Sequence, residues 1–283
     1  MSVSIAIAIK EAAEIFRAHG IVEPRLEAGL LLSYILGQDR TFMIAHSERE
    51  ISPEQLGTFH NFLSRRVAGE PLQYITGQQE FFKGSFEVTP DVLIPRPETE
   101  LIIETVLDLF PQDARFSFAD VGTGSGCIAI SILDERRHAQ ATAIDKSAQA
   151  LEVAHRNAIR HQVLARLRLL HSDLFRELEP SERFDLIVSN PPYVTDEEIS
   201  GLQREVQREP RSALAGGKDG LEVIRGLMRA APLHLRGPGY LVFEFGINQD
   251  GAIREFIDKD VWELIEIRRD LQQIPRMAVL QKK

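Results

Sequence analysis

The 283-residue sequence contains one cysteine, Cys127, so no disulfide can form within the chain and no thiolate cluster can hold a metal. Its eight histidines show no ligand spacing, and no metal is expected. No uninterrupted apolar run approaches the roughly 20 residues of a membrane span. The opening stretch "MSVSIAIAIK" lacks a basic leader and is soon followed by Glu11 and Glu14, which argues against a signal peptide. A cytoplasmic setting without membrane contact is expected. Positive charge is also in short supply: 33 Lys and Arg stand against 42 Asp and Glu, a net charge of −9. A wide basic face that tracks a phosphate backbone is therefore not expected, nor is direct nucleic-acid binding. There are no internal repeats and no low-complexity segments.

What is present reads as about two domains of ordinary globular composition, with 43% hydrophobic residues. Residues 1–75 carry helical periodicity. "IAIAIKEAAEIFRAHG" stops at Gly20, "EPRLEAGLLLSYILG" starts near Pro24 and stops at Gly37, and a shorter helix is expected in "TFMIAHSE". "ISPEQLGTFHNFLSRRVAGEP" has Ser52 as candidate N-cap and Pro53 at the first helical position. Residues 76–95, aromatic and β-branched around Gly84, predict a β-hairpin linker.

From 96 to 283, helices alternate with short apolar strands. The strands are "RFSFADV", "ATAID", "LRLLHSD", "FDLIVSN", "GYLVFEF", "WELIEIRRD" and "RMAVLQ". Helices are expected near 96–110, 125–137, 147–161, 196–207, 219–235 and 248–258. This alternation predicts an α/β, Rossmann-like domain with a mostly parallel sheet covered on both faces. Ligands in such sheets sit beyond the carboxyl ends of the strands.

Two stretches at those ends carry chemistry. "ADVGTGSGCIAI" sets Asp120 at a strand end, then Gly122, Gly124 and Gly126 before a helix. Glycines let the backbone turn tightly and lie against a ligand. Asp145 ends the next strand, where an acid can accept bonds from both ribose hydroxyls. Together they point to a bound nucleoside. The G-x-G-x-G spacing differs from the dinucleotide fingerprint and resembles the S-adenosylmethionine turn of class I methyltransferases. Asp120 is then placed to receive the methionine ammonium, directly or through water.

The second stretch, "FDLIVSNPPYV", ends a buried strand with Asn190, Pro191, Pro192 and Tyr193. The prolines donate no ladder hydrogen bond and hold their predecessors extended. The Asn190 side-chain oxygen and the Pro191 carbonyl can accept the two protons of a planar NH2 group, and Tyr193 can cover one of its faces.

The Asn-Pro-Pro-Tyr stretch resembles the signature of methyltransferases acting on planar amino nitrogens. "PLQYITG", "EFFKGSFEVTPDVLIPRPETE", "DVGTGSG", "SNPPYV", "EPRSALAGGKDGL" and "FEFG" together resemble the bacterial protein-(glutamine-N5) methyltransferases of class 1 release factors, over nearly the whole chain. The resemblance implies a class I methyltransferase fold with an N-terminal helical, substrate-binding bundle. It implies S-adenosylmethionine as cofactor and S-adenosylhomocysteine as product. It implies the Gly-Gly-Gln loop of class 1 peptide chain release factors as the substrate, and a monomer is expected.

By the same resemblance, Gly122, Thr123, Gly124, Ser125, Gly126, Asp145 and Asn190 hold the cofactor. Asp173 and Leu174 lie where the adenine is expected, and Asn190, Pro191, Pro192 and Tyr193 clamp the substrate. Two departures are Leu174, where some members carry an aromatic, and "DLQQIPR" (270–276), which lacks a glycine. The competing reading is a nucleic-acid adenine amino-methyltransferase with the same clamp, which would need a basic target-reading region. The helical bundle, with seven basic and nine acidic residues, is a poor candidate for one.

Other residues are less specific. Arg96, Glu98, Thr99 and Glu100 read either as a charged helix start or as a loop closing over the cofactor. Phe81 and Phe82 read as hairpin packing or as lining for the cofactor's methionine end, Cys127 as a small buried residue or as a thiol with lowered pKa at a helix start, and Arg65 and Arg66 as a solvated face or as contacts to an acidic partner.

Overall fold

The computed structural model describes residues 3–283 and divides into two compact units. The first comprises the chain up to Gly77 together with Arg204–Arg208, and the second comprises Gln78–Gln203 and Glu209–Lys283.

The first unit is helical: α1 (Ile5–Ala18), α2 (Pro24–Leu36), α3 (Arg40–Ala45), α4 (Pro53–Val67) and α5 (Leu72–Thr76). A two-residue ladder between β1 (Val3–Ser4) and β2 (Glu50–Ile51) pins the first helix start to the middle of the unit. Ser52 and Gln55 cap α4 reciprocally, with Pro53 at its first position. Ile5, Phe16, Leu31, Leu32, Phe59 and Leu63 fill the core.

Arg66 is not on a solvated face. It is 7% exposed, pairs with Glu27 at 2.5 Å, and also reaches Glu205 at 2.7 Å in the returning segment. Two acids, Glu27 and Glu205, make that burial tolerable, and neither is a neighbour in sequence, so the local pattern gave no sign of it. Arg65 pairs locally with Glu70.

The second unit opens with the hairpin β3 (Gln78–Phe81) and β4 (Gly84–Glu87), which falls where a hairpin is expected and clusters with this unit. Then follow α6 (Glu100–Leu109), β5 (Ser117–Val121), α7 (Cys127–Glu135), β6 (Gln140–Asp145), α8 (Ala148–Arg160), β7 (Leu167–His171) and β8 (Phe184–Ser189). After the short α9 (Arg211–Leu214) come α10 (Glu222–Ala230), β9 (Leu235–Glu244), α11 (Asp250–Phe256), β10 (Trp262–Arg269) and β11 (Pro275–Lys282).

The seven-stranded sheet runs β10-β11-β9-β8-β5-β6-β7. Strands β9, β8, β5, β6 and β7 are parallel, and β11 inserts antiparallel between β9 and β10. Period-two alternation feeds two buried layers: Phe118, Leu186, Val188 and Val242 on one face, Ala119, Ile187, Leu241 and Phe243 on the other. Chain order reverses between β5 and β8, the place where open α/β sheets leave a crevice beyond the strand ends.

The helix expected over 196–207 is not formed. Two 3-10 turns, Glu198–Gly201 and Val206–Arg208, stand in its place, and Arg204–Arg208 is drawn into the helical unit. The tertiary pairing of Glu205 with Arg66 overrides local propensity. The turn that lacks a glycine is closed by Asp270, which accepts from the Gln272 and Ile274 amides and from Arg276, while Gln273 adopts a φ of +65°. Among the described residues, no helix is long and apolar enough to cross a membrane.

Candidate active site

The crevice at the reversal holds a cavity of about 300 Å³, within the range of small-molecule sites. Gly122, Thr123, Gly124, Ser125, Asp145, Asp173, Leu174, Asn190, Pro191 and Pro192 all lie on its wall. The structure therefore brings together residues from the ends of four adjacent strands. Asp120, Gly126 and Tyr193 lie behind the wall.

The turn after β5 is held by backbone. The amides of Gly122 and Thr123 both donate to the Ile144 carbonyl, at 2.8 and 3.0 Å. Gly122 and Gly124 have φ of +75° and +55°, and a Cβ on either would meet no protein atom within 4 Å. The space above them is left for a ligand. Gly126 does something different: a Cβ there would press on Ile130 at 3.0 Å and Ala154 at 3.2 Å, so this glycine lets α7 and α8 approach. The sequence pattern could not separate those two uses.

Asp145 accepts the Gly124 amide on one carboxylate oxygen and the Ser147 amide on the other, both at 2.9 Å. Each oxygen keeps a lone pair for a hydroxyl on the cavity side. Leu174, at a φ of +54°, sits on the wall against the Gly226 backbone. Asp173 pairs with Arg176 at 2.9 Å.

Asp120 is 0% exposed. One of its oxygens accepts from the Thr123 hydroxyl at 2.7 Å and the Ala129 amide at 3.2 Å, and the other has no partner. Burial pushes its carboxyl up to about 7 against those two bonds, with Asp145 adding to the rise. A buried, half-satisfied acid beneath a glycine turn is an electrostatic demand for a cation above it. Cys127 is also buried, and burial pushes its thiol up to about 12, which removes it as a nucleophile.

The loop after β8 is held by side chains. Ser189 donates to the Val121 carbonyl at 2.7 Å, tying its start to the end of β5. The Asn190 amide nitrogen donates to the Thr99 hydroxyl at 2.9 Å. Thr99 donates to one oxygen of Glu244 at 2.7 Å, and the Tyr193 hydroxyl donates to the other at 3.1 Å. Tyr193 is thereby fixed by its hydroxyl to Glu244 and is not among the residues of the cavity wall. Burial raises the Tyr193 hydroxyl, with Glu244 reinforcing it. Burial likewise pushes Glu244 up to about 7, opposed by the bonds from Thr99 and Tyr193 and by Arg276.

Several residues that the sequence marked only within longer stretches support the site. Glu209 accepts from the Ile94 amide at 3.1 Å and from Arg96 at 2.5 Å, which places Pro95 and Arg96 on the wall. Gly216 and Gly220 allow backbone against backbone: a Cβ on them would lie 2.7 Å from the Pro192 carbonyl and 2.3 Å from that of Tyr193. Glu100 accepts from the Phe82 amide at 2.8 Å, so it holds the hairpin, and neither Phe81 nor Phe82 reaches the cavity. Among the described residues, no group of His, Cys, Asp and Glu is arranged to hold a metal ion.

Residues 8–77 match the family model described as the PrmC N-terminal domain, and residues 99–224 match that of the methyltransferase small domain. The chain is similar to the release factor glutamine methyltransferase of Koribacter versatilis, with 42% identity over 92% of this chain and 91% of that protein. The protein of the same name from Coxiella burnetii is 39% identical over 92% of both chains. That from Geobacter sulfurreducens is 45% identical over 81% of this chain and 80% of its own.

Among solved structures, a methyltransferase from Pyrococcus furiosus superposes with a TM-score of 0.53 at 20% identity, covering 79% of this chain and all but 2% of that one, 98%. The hMettl16 catalytic domain gives 0.59 at 14% identity, covering 89% and 92%. These likenesses establish the class I methyltransferase fold.

Proposed function

The chain belongs to the family of release factor glutamine methyltransferases, and from that premise we propose that it methylates the side-chain amide nitrogen of the glutamine in the Gly-Gly-Gln motif of class 1 peptide chain release factors. The supporting observation is that Asn190 and Pro191 share one cavity wall with the glycine turn and Asp145. A planar amide held by the first pair faces a nucleoside held by the second.

S-adenosylmethionine, the methyl donor, fits the residues present. The open space over Gly122 and Gly124 accepts a close ligand, Asp145 offers two oxygens to a ribose, and the unpartnered oxygen of Asp120 favours a cationic end. When bound, the cofactor supplies an electrophilic sulfonium methyl group.

The chain's own residues supply orientation and charge stabilisation. The Asn190 oxygen and the Pro191 carbonyl accept the two amide protons, which fixes the plane of the NH2 group. An amide nitrogen is a poor nucleophile because its lone pair is delocalised. The two acceptors would draw positive charge through the N–H bonds as the N–C bond forms and the S–CH3 bond breaks, with S-adenosylhomocysteine the leaving thioether. Holding the nitrogen in line with the methyl converts an encounter into a positioned displacement. One N–H proton then leaves to water. No strong base is required on the wall.

The helical unit is proposed to hold the release factor, and the setting to be cytoplasmic. Incubation with methyl-labelled S-adenosylmethionine and either a release factor or duplex DNA tests the reading. Label is expected on the release factor, and none on a version whose motif glutamine is replaced by alanine. Label on DNA with none on the release factor overturns it.

A further inference from the structure

Glu244 lies at the end of β9, two strands from the glycine turn, and stands behind the cavity wall, which it reaches through Thr99. It is 2% exposed, and so is Thr99. Burying a carboxylate in that position carries a cost that a hydrophobic residue would avoid. Its two oxygens are used by two hydroxyls, Thr99 at 2.7 Å and Tyr193 at 3.1 Å.

Proton counting along this chain gives it a direction. In its ionised form the Glu244 carboxylate only accepts, and Thr99 then spends its single hydroxyl proton on it, as the 2.7 Å bond is directed. The Thr99 oxygen is then left as an acceptor, and the group beside it is the Asn190 side chain at 2.9 Å. Only the NH2 end of that amide can donate. The oxygen end must therefore face the other way. A free Asn side chain could turn by half a revolution and present its NH2 to a substrate NH2, donor against donor. The same carboxylate fixes Tyr193 from its other oxygen, so both ends of the Asn-Pro-Pro-Tyr loop are referred to one buried group.

We propose that Glu244 and Thr99 form a polarity relay that locks the Asn190 amide with its oxygen available to accept from the substrate. Both are positioning residues, which act through Asn190 without touching the transferred group themselves. The inference rests on the clamp reading of Asn190 given above. It assigns Thr99 a role in the loop's polarity in place of helix capping.

The test uses the full chain and three variants. Single-turnover methyl transfer to a release factor is measured beside cofactor affinity, thermal stability and hydrogen exchange of the Asn190 side-chain amide by NMR. Thr99→Val removes the hydroxyl and keeps the shape. It is expected to slow the single turnover about tenfold to a hundredfold, the scale seen when a group that orients a reactive side chain is removed. Cofactor affinity should fall less than turnover does, since the Thr99 hydroxyl is spent on Glu244 and Asn190 and valine keeps its shape on the wall.

Asn190 amide exchange should quicken about tenfold, as for one lost hydrogen bond of typical net strength. Thr99→Ser keeps the hydroxyl and should recover most of both losses. Glu244→Gln turns an NH2 group toward one of the two hydroxyls and should fall between them.

Thr99→Val with wild-type turnover and wild-type exchange overturns the relay. Equal losses in Thr99→Val and Thr99→Ser overturn it as well, because packing and not the hydroxyl is then at stake. If the unaltered protein places no label on a release factor, the functional reading fails, and the exchange data still decide the relay. If Thr99→Val does not fold, Glu244→Gln and Thr99→Ser carry the same decision.

Discussion

The turn after β5 and the loop after β8 leave neighbouring parallel strands and line the same cavity, yet they are held in opposite ways. The first is mostly backbone: two amides on the Ile144 carbonyl, positive φ at its glycines, and two carboxylates, Asp120 and Asp145, in contact. The second is a side-chain construction that draws in Thr99, Glu244, Gln249 and the backbone around Gly216 and Gly220. A site that must admit a whole nucleoside clears side chains away. A site that must present one oxygen in one orientation needs side chains to fix it.

The sharpest break between the two is Asn190→Ala. Turnover is expected to fall by about 10²–10³, the loss typical of one preorganised transition-state partner, while cofactor affinity falls less. Single-turnover rates beside a cofactor titration measure both. Near-normal turnover would remove the clamp from the loop and leave the two regions alike.

Glycine substitutions should separate the regions next. Gly220→Ala places a Cβ 2.3 Å from the Tyr193 carbonyl at a φ of +73°. Backbone cannot yield there, and a destabilisation of about 3 kcal/mol is expected from strain and overpacking together. Gly124→Ala meets no protein atom, so only its φ of +55° opposes folding, at about 1 kcal/mol. Its larger effect should be a cofactor affinity loss of about tenfold or more, since the methyl enters the ligand's space. Urea unfolding and cofactor titration should therefore rank the two variants in opposite orders.

The same contrast explains what the sequence disclosed. The glycine turn works through residues within five positions of one another, with Asp145 one strand later, so its spacing was readable. The strands were readable because burial on both faces leaves continuous apolar runs. Thr99 and Glu244 stand 91 and 54 residues from Asn190 and are joined to it only by folding. Nothing in "RPETE" or "FEFG" says that one hydroxyl will point at the other stretch's carboxylate. The segment 196–207 failed for the same reason: Glu205 answers to Arg66, 139 residues earlier, and not to its own helical neighbours. Local pattern carries elements and turns, while pairing across the fold carries orientation.

Asp120 gives the glycine turn a pH signature that the loop should lack. Its carboxyl is raised from the model-peptide value to about 7 by burial. Between about pH 4 and 7 the unfolded acid is ionised and the folded one still holds its proton, so stability falls as pH rises through that window. Asp120→Asn does not titrate. Relative to that variant, the wild type should lose about 2 kcal/mol of stability between pH 5.5 and pH 8 without cofactor. Urea midpoints at the two pH values check it. Parallel pH dependence in the two proteins would mean that Asp120 is ionised throughout.

Ser189 ties the two constructions with its side chain, donating from the loop's start to the Val121 carbonyl at the turn's entrance. Ser189→Ala should cost about 1 kcal/mol of stability, the usual net worth of a buried hydrogen bond with some penalty for the orphaned carbonyl. Its effect on turnover separates two pictures. If each region is held by its own partners, Ile144 and Asp145 on one side and Thr99 and Glu244 on the other, turnover should change by less than about twofold. If the regions share one rigid frame, loosening this bond should slow methyl transfer as much as losing Thr99 does. The independent wiring of the two loops favours the smaller effect, and comparing Ser189→Ala with Thr99→Val in the same single-turnover assay decides between them.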